Sequence, residues 1–406
     1  MFSTLLKSPD REKAAAKHTI FDPNSSKTWR WPTRAWGGTK QPFSWRRKDL
    51  KWDIQYGDMS SASGNVGWDD VQIGDIRISQ QAVQLAKSFT GNQFLEGSAD
   101  GILGLAFGHL NSVQPEPART PLEMMSELGL LPEHLFTVNL STDCFFTFGF
   151  IDETTRAGRD IKWVDVDSRG GFWDFSTRHA RVGNKRLKRS GGRAIADTGS
   201  SIILTHPHIV WMIYKQVEGA MYDSRQPGWV YPADAKVPEV AFSVGDDESL
   251  MVVINEKNMH HSDLGNGFVF GAIQENPAYE NGGLQFDIFG TPFFRHVYAI
   301  FDIKGERFGV IKEGPDKDDG EDTIVSRTLV ESPVMMEKLA EEPEEEGEEI
   351  EDSVDGSIRE TYPRRSSTMS RMLPSPIEEQ FESLPEVSEL PELRGKQEED
   401  MGITTS

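Results

Sequence analysis

The sequence predicts an all-β protein, and three observations carry that expectation. Short runs rich in β-branched and aromatic residues recur from about Thr19 to Lys312. Gly, Asp, Asn and Pro separate them, as turns between strands require. Only two stretches carry an apolar period that suits a helix instead. A chain of 406 residues with 37% apolar residues can bury a large core, and its length suits two lobes.

In chain order, "WDIQYGD" (Trp52 to Asp58) and "GWDDVQIGDIRI" (Gly67 to Ile78) read as the first strands. "LFTVNL", "FFTFGFI" and "IKWVDV" follow between Leu135 and Val166. "AFSVG", "SLMVVIN", "GFVFGAI" and "VYAIFDI" complete the set between Ala241 and Ile303. The helices are expected at Pro121 to Leu130, with apolar residues at Leu122, Met125 and Leu128, and at Pro207 to Met221, with apolar residues at Ile209, Met212, Ile213 and Tyr214. The basic run Lys185 to Arg189 reads as a solvated loop. A faint repeat links "DGILGLAF" (Asp100 to Phe107) with "FDIFGTPFF" (Phe286 to Phe294), each holding two large apolar residues before a Gly.

The formal net charge is -22, but residues 313–406 alone hold 28 Asp and Glu against 9 Lys and Arg. The body is therefore near neutral and the acidity belongs to the tail. That tail is Pro-dotted and poor in aromatics, so it is expected to be disordered and solvating. Within it "RRSSTMSR" (Arg364 to Arg371) fits a phosphorylation site, a match that chance often produces. No basic stripe stands out for nucleic acid, and no apolar run approaches a membrane span. No secretion signal is legible in the chain as written, which leaves location open. One cysteine, Cys144, excludes an intrachain disulfide, and Phe145, Phe146 and Phe148 beside it suit a buried thiol. The four histidines His206, His208, His260 and His261 lack a completing carboxylate, so neither a metal nor a cofactor is expected. Two glycosylation sequons, Asn24-Ser25-Ser26 and Asn139-Leu140-Ser141, matter only for a secreted chain.

The chemistry concentrates at "AIADTGSSIIL", Ala194 to Leu204. Hydrolysing a peptide bond with carboxylates takes two of them sharing one proton around a single water. Asp197 suits one of these roles. Thr198 can add a hydroxyl, and Gly199 lets its N–H approach the carboxylate with no Cβ in the way. Three residues alone would still be an ordinary turn.

Several further stretches accompany it. "YGDMSSASG" (Tyr56 to Gly64), "DGILGLAF", "FGFID" (Phe148 to Asp152), "GFWDF" (Gly171 to Phe175) and "FDIFGTPFFRHVYAIFDIKGERFGVI" (Phe286 to Ile311) occur in one order. Together they resemble the pepsin-like aspartic peptidase family, its fungal secreted members most of all. The resemblance implies a bilobal β fold, with a first lobe over residues 19–160 and a second over residues 161–312. Residues 1–18 stand outside the family pattern and residues 313–406 form the tail. It also implies that Asp197 is the second-lobe catalytic residue and that Tyr56 and Gly57 belong to a flap over the substrate. Asp58 would favour a basic side chain at the cleavage site, while Gly199, Ser200 and Ser201 would line the cleft.

The sequence departs from that pattern where the first-lobe Asp-Thr-Gly turn should precede "FDPNSSKTW" (Phe21 to Trp29). Asp10 stands nearby, but Arg11 and Glu12 follow it and no apolar run leads in. A first lobe truncated in this way is expected to fold poorly. Met59 stands where the flap usually has Gly, Thr291 where an Asp often follows the second Gly motif, and Ala233 near an expected cysteine. The expected function is that of a monomeric aspartic endopeptidase acting on extended peptides or proteins at acid pH, with the chain's own activity in question. The alternative is a non-catalytic peptidase-like protein that binds peptides. Two chains pairing Asp197 across a two-fold axis is a minor third route.

Overall fold

Residues 18–32, 50–56, 60–90, 99–141, 144–279, 285–312 and 380–381 are described by the computed structural model. Strands dominate among the described residues, as the sequence pattern requires, and there they form five sheets.

The first sheet is a meander of Lys51–Gln55, Ser61–Ile73 and Ile76–Thr90, with Val113–Gln114 added at its edge. The two long strands turn at Gly74, whose φ of 58° a side chain would resist. Trp52, Ala62, Val66, Ala86 and Val113 form a small core of their own on this sheet. Beside it the segment from Phe21 to Trp31 lays Trp29 over Val83 and Leu85. Asp69, buried, fixes that segment by accepting from Ser26 Oγ at 2.9 Å and Thr28 Oγ1 at 2.5 Å. Phe21 to Trp31 and the long strands are thus joined by aromatic and polar contacts of their own.

A second sheet joins distant parts of the chain. Its order is Phe145–Phe148, Leu135–Asn139, Val297–Asp302, Arg307–Lys312 and Lys162–Asp165, all antiparallel. Phe136 and Phe301 stack across it with centroids 4.4 Å apart. Tyr298, fully buried, donates to Thr137 Oγ1 at 2.9 Å and accepts from the Asp152 N–H at 2.8 Å. Burying this phenol with both capacities used avoids the cost of an unpaired polar group. Cys144 is buried next to this sheet.

The remaining sheets draw on residues 174–289, with 380–381 added to one of them. One runs Ile273–Glu275, Ile203–Thr205, Asp287–Phe289, Arg193–Ala196 and Asp174–Ser176, and it carries the Asp-Thr-Gly turn. Another runs Met251–Ile254, Val240–Ser243, His179–Val182 and Lys185–Ser190, with Gln380–Phe381 paired to the last strand. The third joins Met221–Asp223, Gly228–Pro232, Phe268–Gly271 and His260–Asp263.

Three expectations need revision. The first helix ends at Glu127, because Gly129 takes φ 66° and its N–H folds back to Ser126 while Leu130 N–H reaches Met125. The second ends at Tyr214, after which Gly219 (φ 77°) turns the chain into a strand that leaves Met221 exposed. The basic run is a strand, Lys185–Ser190, and not a loop. Its alternation puts Leu187 and Arg189 inside while Lys185, Arg186 and Lys188 face water. The two sequons also differ: Asn24 is exposed, whereas Asn139 is buried and accepts from Ser141. The expected disorder of the tail falls outside the described residues, apart from the pairing at 380–381.

Candidate active site

Asp197 sits at the top of a strand–turn–strand unit. Arg193–Ala196 leads in, residues 197–202 turn, and Ile203–Thr205 leads out. Both strands flank Asp287–Phe289, parallel to the first and antiparallel to the second. Ala194, Ala196, Ile203 and Phe289 are buried there, so the apolar run that surrounds the motif is what anchors it. The Asp197 N–H donates to the Phe289 carbonyl at 3.0 Å, which ties the start of the turn to the middle strand.

The turn brings Asp197, Thr198, Gly199, Ser200 and Ser201 together. The Gly199 N–H donates to Asp197 Oδ1 at 2.9 Å. A Cβ at residue 199 would stand 3.2 Å from that oxygen, closer than ordinary contact, which is the physical reason for a glycine here. Burial pushes the Asp197 carboxyl above its usual value, and the Gly199 and Ser200 amides pull it partly back. The result is a half-buried carboxyl inclined to hold a proton, at a turn whose Gly199 and Ser201 are exposed.

Support for this turn comes from two residues to which the sequence assigned no such role, Gly290 and Thr291. Gly290 ends the middle strand, and a Cβ on it would collide with the carbonyls of Ser200 and Ile202. Thr291 follows, and both its N–H (2.8 Å) and its Oγ1 (3.1 Å) donate to the Ser200 carbonyl. Both lie in the apolar-apolar-Gly stretch Phe286 to Phe294, which the sequence marked as a repeat but not as a support of the turn.

Tyr56 lies on the other sheet. Its N–H donates to the Ser60 carbonyl at 2.8 Å, closing the hairpin between Lys51–Gln55 and Ser61–Ile73. Its ring packs against the small core around Trp52. Gly57 and Asp58, expected beside it, and Met59 fall outside the described residues.

The four histidines have individual roles. His206 caps the helix Pro207–Tyr214, its Nδ1 accepting from the His208 N–H at 3.1 Å. Burial first, and the Arg189 charge second, push its imidazole down to about 4. His208 stacks on Trp211, and His260 meets Tyr231 edge-on. His261 meets Phe270 edge-on, and burial pushes its imidazole below the usual value. Among the described residues no group of three or more His, Cys, Asp or Glu side chains is placed to hold a metal ion. No helix among them is long and apolar enough to cross a membrane.

Comparison with known proteins gives a consistent answer. Aspergillopepsin-1 of Aspergillus pseudoglaucus is 36% identical over 260 residues, 64% of this chain and 64% of that protein. Aspartic protease pepA of Arthroderma gypseum is 33% identical over 279 residues, 65% of this chain and 67% of its own length. A putative aspergillopepsin A-like aspartic endopeptidase of Arthroderma otae is 33% identical over 306 residues, 73% and 66% respectively. The chain therefore spans about 64% of the length of the aspergillopepsin it matches. The profile of the eukaryotic aspartyl protease family matches residues 38–312, more than half of the chain, and the protein belongs to that family.

Proposed function

We propose that this chain supplies Asp197 as one carboxylate of an aspartic endopeptidase that cleaves extended peptides at acid pH. The observation that carries the proposal is the state of Asp197. It is a carboxyl raised by burial, held by a backbone N–H at 2.9 Å, in a turn open at Gly199 and Ser201. A carboxyl that keeps its proton under acid conditions can share it with a neighbouring carboxylate. One of the two then takes a proton from the attacking water, and the other donates towards the carbonyl oxygen. The Gly199 N–H holds the Asp197 carboxylate in orientation while its protonation changes. Ser200 and Ser201, with the flap residues Tyr56, Gly57 and Asp58, would bind the peptide in extended form. Thr198 supports the turn. Neither a metal nor a cofactor has a step in this chemistry.

A second reading, a peptide-binding protein without turnover, is favoured by one specific observation. Among the described residues, the groups acting on the Asp197 carboxyl are backbone amides, with no second carboxylate. One experiment separates the two. The full protein is incubated with a denatured protein substrate at about pH 3–4, beside Asp197→Asn. Cleavage that the substitution abolishes supports the peptidase; cleavage that survives it removes Asp197 from the mechanism. Saturable binding of an extended peptide without cleavage leaves the binding protein.

A further inference from the structure

Arg189 and Asp287 are both fully buried and form an ion pair, Nη1 to Oδ2, at 2.9 Å. Thr205 Oγ1 donates to the same oxygen at 2.9 Å, and the Tyr279 hydroxyl donates to Oδ1 at 3.0 Å. The Arg189 guanidinium also donates to the Thr177 carbonyl at 3.3 Å. Three side chains, Arg189, Thr205 and Tyr279, thus converge on one carboxylate. None of them is in the Asp197 turn.

Their place in the fold gives the cluster its meaning. Asp287 opens the middle strand of the three that carry the turn, opposite Ala194 on the incoming strand. Thr205 closes the outgoing strand, directly after Leu204, which pairs with Ile288. Asp287 is therefore the polar foot of the strand whose other end contacts the turn through Phe289, Gly290 and Thr291. The rest of that strand is Ile288 and Phe289, so Asp287 is its one charged side chain. A slip of one residue would exchange its faces and move every contact with the turn. Asp287 has one position in which its charge is matched.

A buried ion pair is weak evidence for stability, because desolvation offsets most of the attraction, and a hydrophobic pair often does as well. What such a pair specifies is geometry. We infer that the Arg189–Asp287 pair is a positioning device that sets the register of the middle strand and thereby the height of the Asp197 carboxylate. The inference rests on the peptidase reading for its functional meaning, but its structural content can be tested separately. In the repeat, the residue aligned with Asp287 is Gly101, so the device belongs to the second copy alone.

The test is native-state hydrogen exchange on the full chain, read at individual amides. The reporters are Asp197 N–H, bonded to Phe289, and Thr291 N–H, bonded to Ser200; Tyr298 and Ile300 in the neighbouring sheet serve as references. Asp287→Asn leaves Arg189 uncompensated and is expected to lower Tm. The double variant Arg189→Met with Asp287→Leu removes both charges and is expected to recover most of that loss. If the pair positions the strand, both reporters exchange at least tenfold faster in the double variant while the references stay unchanged. Wild-type exchange at the reporters, or equal acceleration everywhere, would overturn the inference and leave a pair with a stability role only. Should the double variant not fold, Tyr279→Phe removes one donor from the carboxylate and should give a smaller, two- to threefold acceleration at the same reporters. Failure of the peptidase reading would appear as absent hydrolysis by the wild type, and would leave these exchange rates unaffected.

Discussion

Ile102-Leu103-Gly104 and Ile288-Phe289-Gly290 are the same pattern in opposite surroundings. Phe289 is fully buried between two strands, and a Cβ on Gly290 would collide with the Asp-Thr-Gly turn. Ile102 and Leu103 are 66% and 44% exposed, and a Cβ on Gly104 would meet no atom of the described residues within 4 Å. Just beyond, the first copy does find partners: the Leu105 carbonyl accepts from Trp173 Nε1 at 2.9 Å, and the Phe107 ring lies tilted against the same indole, centroids 4.5 Å apart. An apolar-apolar-Gly run therefore does not bury itself. The strand–turn–strand that straddles it does so, and that unit is also what carries the carboxylate.

The largest expected effect is chemical and belongs to the straddling turn. Asp197→Asn should lower hydrolysis by at least about 10⁴-fold in any active form of the protein. The same substitution should raise stability at neutral pH. Burial raises the folded-state value of Asp197, so ionisation opposes folding above that value and the penalty disappears as pH falls through it. Asn keeps the oxygen that accepts from Gly199 and carries no charge. Thermal melts at pH 7 and pH 3 check this: a gain at both, or at neither, would contradict the assignment of burial as the cause.

Packing comes next. Phe289→Ala should cost about 3–5 kcal/mol, since a full aromatic ring leaves a cavity among Phe175, Phe242 and Phe293. Leu103→Ala should stay within about 0.5 kcal/mol. Urea denaturation of the two variants measures the difference. Equal losses would mean that the first copy is buried in solution. The glycines give a finer version: Gly290→Ala should cost about 1–3 kcal/mol or more through collision with backbone, and Gly104→Ala almost nothing.

These contrasts also mark what the sequence could and could not convey. The strands, the turn chemistry of Asp197 and the glycine beside it are local, and a reader of residues 194–204 finds them directly. Arg189 was misplaced because Lys185 to Arg189 is locally a charge run. Its partner is Asp287, 98 residues away, and only the period of two in the strand could have hinted that every second residue turns inward. Thr291 was recorded as a departure from the family pattern, although its two bonds to Ser200 make it part of the support. The histidines were weighed for a metal, whereas His206 is a helix cap. Local chemistry was legible; the partners brought by long-range pairing were not.

His206 offers the smallest effect and the sharpest test of how the second copy is built. It lies at the foot of the outgoing strand, stacked edge-on with Tyr279, whose hydroxyl holds Asp287. Its value is about 4 in the folded chain against about 6.5 in an unfolded one. Between those values the unfolded state binds a proton that the folded state refuses, so stability falls as pH drops from 6.5 and levels off near 4. Solvent reaching the half-buried ring limits the loss to about 1–2 kcal/mol. His206→Asn retains a side-chain oxygen to accept the His208 N–H, so the cap survives while the titration does not. Denaturation at pH 4.5 and pH 7 should show a smaller acid loss for the variant. An unchanged acid loss would assign the slope to other groups and detach His206 from the buried cluster beneath the turn.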